Sequence, residues 1–130
     1  MTDEHTSPIL VIEDEIDLRH TYERLLRRLK FDVIAVERAG DALRIAESRE
    51  IGLVIADLNL PDMEGLALIH RLRACAHSAP IIVASAVDSA TTRRAALEAG
   101  AVAYLTKPFS IATLMATIRD ILKPLDGTAP

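Results

Sequence analysis

Ile9-Leu10-Val11-Ile12-Glu13-Asp14-Glu15 sets four consecutive apolar residues directly before three carboxylates. Four residues are too few for a helix. An unbroken apolar run suits a strand with both faces covered, as in a parallel sheet. The change at Glu13 ends the strand and places charge at its carboxyl end. Four similar runs follow, from Asp32 to Val36, Leu53 to Asp57, Ile81 to Ser85 and Val102 to Thr106. Pro8 and Pro80 stand at the mouths of two of them, where no ladder donor is yet needed. Between the runs, Leu18, Tyr22, Leu25, Leu26 and Leu29 form the stripe of a one-sided helix, and Leu114, Met115, Ile118, Ile121 and Leu122 repeat it. Weaker helical patterns cover Asp41 to Ser48, Leu66 to Ala74 and Ser89 to Ala99, the last closed by Gly100. The expected architecture is α/β: a (βα)5 doubly wound parallel five-stranded sheet with helices on both faces. One domain is expected at residues 9–123, between an N-terminal tail at 1–8 and a C-terminal tail at 124–130, where prolines and a glycine follow the last helix.

With 130 residues, half of them hydrophobic, the chain can bury an ordinary core. A formal charge of −4 and only four aromatic residues remove the attraction and the stacking surface that nucleic acid needs, so no direct nucleic-acid partner is expected. Cys75 is the single cysteine, which rules out an internal disulfide and fits a reducing cytoplasm. The polar, acidic N-terminus is not expected to act as a signal peptide, and no apolar run reaches membrane-spanning length.

The polar residues that interrupt the apolar pattern gather at carboxyl ends of strands. Glu13 and Asp14 follow the first, Asp57 ends the third, Ser85 ends the fourth and Lys107 follows the fifth. In an open α/β sheet that edge carries the ligand crevice. Two unit charges 4 Å apart repel by about 4 kcal/mol at an effective dielectric of 20, so three carboxylates together require either a proton or a cation. Mg2+ fits, since it prefers oxygen ligands, takes one or two carboxylates and tolerates phosphate oxygens. The chemistry to which such a set is suited is phosphoryl transfer, with Asp57, the most central carboxylate, as nucleophile and Lys107 neutralising the transferring group.

Ile9 to Glu15, Asp57-Leu58-Asn59-Leu60-Pro61-Asp62-Met63-Glu64-Gly65, Ala84-Ser85-Ala86 and Tyr104-Leu105-Thr106-Lys107-Pro108-Phe109 together resemble response-regulator receivers, over nearly the whole chain. The resemblance implies the flavodoxin-like strand order 2-1-3-4-5. It implies that Asp57 accepts a phosphoryl group from a sensor histidine kinase or histidine phosphotransfer protein, and that a protein-binding surface switches in response. Asp14 and Asp57 would bind Mg2+ directly, Glu13 through water, and Asn59 through its backbone carbonyl. Lys107 would contact Asp57 and then the phosphoryl group, Ser85 would turn toward it, and Tyr104 would rotate inward. The Lys107–Pro108 bond is expected to be cis, with the Lys107 ammonium reaching back over Asp57.

Two positions depart from the commonest family pattern. Glu13 stands where Asp is more frequent, and Val102-Ala103 stand where the subfamily driving winged-helix domains carries an acidic pair. Alone, Glu13-Asp14-Glu15 would read as a helix start favoured by the helix dipole, Ser85 as a strand-end hydroxyl and Lys107 as a solvated lysine; their meaning is joint. His5, His20, His70, His77 and Cys75 show no spacing that suggests a site, and Arg24, Arg27, Arg28 and Lys30 read as a solvated helix face. Two other functions compete. A haloacid-dehalogenase-type phosphatase also uses an aspartyl-phosphate, Mg2+, a lysine and a hydroxyl, but its nucleophile follows the first strand. A degenerate receiver would act as an adaptor without phosphorylation.

Overall fold

The computed structural model describes residues 7–122 apart from 76 and 77. Most of both expected tails, with His5 and His77, lies outside the described residues. Five strands alternate with five helices: β1 (Ile9–Ile12), α1 (Ile16–Arg28), β2 (Val33–Val36), α2 (Ala39–Ser48), β3 (Leu53–Ala56), α3 (Gly65–Cys75), β4 (Ile81–Ser85), α4 (Ala90–Ala99), β5 (Ala103–Thr106) and α5 (Ile111–Leu122). All pairings are parallel, in the order β2-β1-β3-β4-β5. This is the expected flavodoxin-like α/β fold.

The pleat explains why the strands are apolar on both faces. Ile9 and Val11 enter a core shared with Tyr22 and Leu26 of α1 and with Leu114 and Ile118 of α5. Leu10 and Ile12 point the other way, into a core built with α2, α3 and Ala96 of α4. The three inner strands are wholly buried, and the outer strands β2 and β5 only partly. Of the two predicted stripes, Leu29 and Leu122 remain largely exposed at the helix ends.

Several boundaries differ from expectation. Asp57 lies one residue past β3, although Asp57 N–H still donates to the Ile12 carbonyl at 3.1 Å and extends the ladder. Helix α2 starts two residues earlier than its apolar pattern suggests. Its N-cap residue, Arg38, provides no side-chain cap; Asp62, beyond β3, accepts from the Ala39 and Gly40 N–H groups instead. Helix α4 is capped locally by Ser89 and closed by Gly100, whose φ of 128° suits glycine.

Candidate functional site

Strand order reverses around β1 and β3, so the loops leaving their carboxyl ends diverge and open a crevice. Glu13, Asp14 and Asp57 meet there. Each offers a carboxylate oxygen, and these oxygens lie within 4.8 Å of one another. Glu13 and Asp57 are buried, while Asp14 is exposed at the rim. Backbone bonds extend the sheet beneath them: Glu13 N–H donates to the Val36 carbonyl at 3.0 Å, and Lys107 N–H to the Ser85 carbonyl at 2.7 Å.

Lys107 crosses from the end of β5 to the acidic group. Its Nζ donates to Glu13 Oε1 at 2.8 Å and to Asp57 Oδ2 at 3.3 Å. The shorter bond goes to Glu13, a partner that sequence reasoning missed; the longer arm of Glu at this position was the available signal. The remaining oxygens are held by backbone, with Asp57 Oδ1 accepting from Asn59 N–H at 3.0 Å and Glu13 Oε2 from Glu15 N–H at 3.1 Å. The Lys107–Pro108 peptide bond is cis.

The electrostatics follow from burial and partners. Burial pushes the Glu13 carboxyl above its ordinary value, against the opposing pull of Lys107. Burial alone would lower the Lys107 pKa, but the Glu13 hydrogen bond and the Asp57 charge outweigh it, and the ammonium is held above its ordinary value. The cluster holds three carboxyl groups, and the Lys107 ammonium contacts two of them. The deficit of positive charge and the all-oxygen donor set together fit a hard divalent cation. Tyr22, whose buried hydroxyl has no hydrogen-bond partner, is also pushed upward by burial and by the charges of Glu13 and Asp57.

Ser85 is fully buried beside this cluster, and its Oγ accepts from Val87 N–H at 3.1 Å. The Val87 carbonyl accepts from the Tyr104 hydroxyl at 2.7 Å. Val87 is therefore gripped from both sides, a link invisible in sequence spacing. The Arg93 guanidinium lies 5.3 Å from the Tyr104 ring centroid and 3.7 Å from Asp88. Asp62 and Arg19 complete the surroundings. The Gly40 and Ala39 N–H groups hold the Asp62 carboxyl below its ordinary value, and Arg19 donates to the Glu13 carbonyl at 2.9 Å. No helix among the described residues is long and apolar enough to cross a membrane.

The chain is 38% identical over 125 residues to the transcriptional regulatory protein PrrA of Mycobacterium tuberculosis, covering 95% of this chain and 54% of PrrA. It thus spans about half the length of the curated relatives it matches. The receiver domain of the sensor histidine kinase PA1611 from Pseudomonas aeruginosa superposes with a TM-score of 0.79 at 30% identity, covering 88% of this chain and 95% of that one; it has a magnesium ion coordinated in its active-site cleft. A response regulator from Burkholderia pseudomallei, solved with a phosphorylated aspartic acid, a calcium ion and citrate, gives a TM-score of 0.80 at 26% identity over 95% of this chain and 76% of that one. The response regulator receiver domain model matches residues 9–119, and the chain belongs to that family of two-component signalling modules.

Proposed function

We propose that Asp57 accepts a phosphoryl group in a Mg2+-dependent reaction and that this switches a protein-binding surface. The observation that carries the proposal is the Asp57 carboxylate itself, bracketed by Lys107 and the Asn59 N–H and flanked by two further carboxylates. The donor would be a phosphohistidine on a sensor histidine kinase or a histidine phosphotransfer protein. An Asp57 oxygen attacks phosphorus and the P–N bond breaks. The imidazole nitrogen leaves with the electron pair and takes up a proton. Lys107, kept charged by Glu13 and Asp57, neutralises the transferring oxygens. Asp14, Asp57 and the Asn59 carbonyl would hold Mg2+ directly and Glu13 through water, and the ion would supply further positive charge there. We assign the module to residues 9–123 and to the cytoplasm, a reading supported by β1 starting at Ile9 and by the single cysteine.

The chain acts here as a phosphoacceptor rather than a turnover enzyme. Its acidic pair precedes the nucleophile in sequence, the reverse of the phosphatase order. Its only catalysis is of its own phosphorylation and dephosphorylation, so incubation with p-nitrophenyl phosphate and Mg2+ should release p-nitrophenol no faster than the aspartyl phosphate hydrolyses; rapid sustained turnover would favour the phosphatase.

The new phosphoryl oxygens would draw Ser85 Oγ away from Val87 N–H, loosening the segment that the Tyr104 hydroxyl grips. Ser85→Ala should still allow phosphorylation but uncouple Tyr104. With an acceptor removed from Val87 N–H, stability should fall by about 1 kcal/mol. NMR signals of the Tyr104 ring should respond to beryllofluoride much less than in wild type; an undiminished response would show that Ser85 does not carry the coupling.

The surface formed by α4, β5 and α5 should not support the salt-bridged dimer of the winged-helix subfamily. Val102 and Ala103 replace its acidic pair, Arg93 is already engaged with Asp88 and Tyr104, and Arg94 and Arg119 would lack those acidic partners. Sedimentation velocity with and without beryllofluoride, at two salt concentrations, should show no such dimer. A mimic-induced dimer on that face that dissociates as salt rises would contradict the expectation.

A further inference from the structure

Of the five loops that leave the carboxyl edge of the sheet, those after β1 and β3 carry the three carboxylates of the cluster, and the one after β2 carries none of them. Polar links nevertheless join that loop to both of the others. On one side, Arg19 of α1 donates through Nη1 to the carbonyls of Glu13 at 2.9 Å and Asp14 at 3.5 Å, while its Nη2 lies 3.6 Å from Glu37 Oε1. The Arg19 side chain is only 14% exposed and its bond to the Glu13 carbonyl is partly buried, whereas its contacts with Asp14 and with Glu37, 52% exposed, lie at the surface. On the other side, Asp62 accepts from Ala39 N–H at 2.9 Å and from Gly40 N–H at 3.0 Å. Asp62 sits at the tip of a closed loop, because Asn59 and Glu64 form a bridge across it. Fixing the tip therefore fixes Asn59. The start of α2 is a firm anchor, since Ala39, Ala42 and Leu43 are buried in the core.

We propose that Arg19 and Asp62 are positioning residues for the divalent cation, clamping the loops that carry Asp14 and Asn59 to the post between β2 and α2. The inference rests on the metal reading of the Glu13, Asp14 and Asp57 cluster. Its physical basis is the narrow tolerance of Mg2+, which demands near-octahedral oxygens at short distance. Asp14 is exposed and lies beyond the β1 ladder, so the backbone under it needs support from outside the strand. Removing a group hydrogen-bonded directly to a metal ligand typically costs about 10–100-fold in affinity, and Arg19 and Asp62 act one step further out, through the backbone.

The test is Mg2+ titration followed by amide chemical shifts, on the whole chain, at a temperature where each variant gives a dispersed spectrum. Asp62→Ala and Arg19→Gln should each weaken Mg2+ binding, by up to about tenfold. Asp62→Asn should fall between wild type and Asp62→Ala, because its single carbonyl oxygen can serve only one of the two N–H groups well. A role confined to stability would lower the urea midpoint and leave Mg2+ affinity unchanged, and that result overturns the proposal. Should Asp62→Ala fail to fold, Arg19→Gln and Asp62→Asn decide the matter by the same criterion. Absence of saturable Mg2+ binding in the wild type would overturn the metal reading and the clamp together; normal wild-type binding with unaffected variants overturns the clamp alone.

Discussion

Asp57→Asn should abolish Mg2+-dependent labelling by acetyl phosphate while leaving the chain folded. The substitution keeps the shape of the side chain, and the amide oxygen can still accept from Asn59 N–H as Asp57 Oδ1 does at 3.0 Å. The amide N–H2 then stands where Oδ2 accepted from Lys107 at 3.3 Å, so the ammonium loses that bond and turns to its shorter one with Glu13. What is lost is the nucleophilic oxygen and one unit of negative charge. Since two carboxylates at 4 Å repel by about 4 kcal/mol at an effective dielectric of 20, partly offset by Lys107, removing one should relieve more strain than it creates. In the absence of Mg2+ the variant should therefore be at least as resistant to urea as wild type, and its Mg2+ affinity should fall. Full labelling of Asp57→Asn would remove Asp57 from the role assigned to it. A large loss of stability would mean that Asp57 is held for the fold rather than for chemistry.

Gly65→Ala should be the most damaging of the glycine substitutions near the site. A Cβ at Gly65 would lie 2.6 Å from the Leu58 Cα, 2.8 Å from its Cβ and 2.5 Å from its Cδ2. The first of these is backbone and cannot swing aside, so the segment between Asp57 and Asn59 must move. Overpacking of this kind costs about 1–3 kcal/mol, against a helix-propensity gain of at most about 1 kcal/mol for replacing glycine by alanine. The balance is a net loss of stability, accompanied by slower phosphorylation because the displaced segment carries the nucleophile. Gly40→Ala is the matched control, also at a helix start but with only Asp62 Oδ2 nearby at 3.5 Å. It should be neutral or slightly stabilising. Urea unfolding of both variants, with labelling rates alongside, would show whether the tight approach at Gly65 sets the difference; equal behaviour of the two would contradict it.

The architecture was legible because the inner strands β1, β3 and β4 are apolar at nearly every position, and because the charged residues break that pattern only at strand ends. Glu13, Asp14, Asp57, Ser85 and Lys107 could be grouped from the sequence, since a parallel sheet brings its carboxyl ends to one edge. Other features depend on partners distant in sequence. The start of α2 could not be placed from its own residues, because Asp62 supplies the cap from 22 to 23 positions away. The closer engagement of Lys107 with Glu13 than with Asp57 spans 94 positions and depends on side-chain length rather than type. The grip of Ser85 and Tyr104 on Val87 joins one short-range and one long-range hydrogen bond at a residue with no polar side chain, so nothing in the sequence marks it.

Intact-mass spectrometry after incubation with acetyl phosphate tests the central claim most directly, run with Mg2+, with a chelator, and with Asp57→Asn in parallel. The account predicts that wild-type chain with Mg2+ gains the mass of a single phosphoryl group, labile to hydroxylamine as an acyl phosphate should be, while the chelated sample and the variant gain none. A wild-type chain that stays unmodified under these conditions, or an adduct that persists in Asp57→Asn, would contradict it.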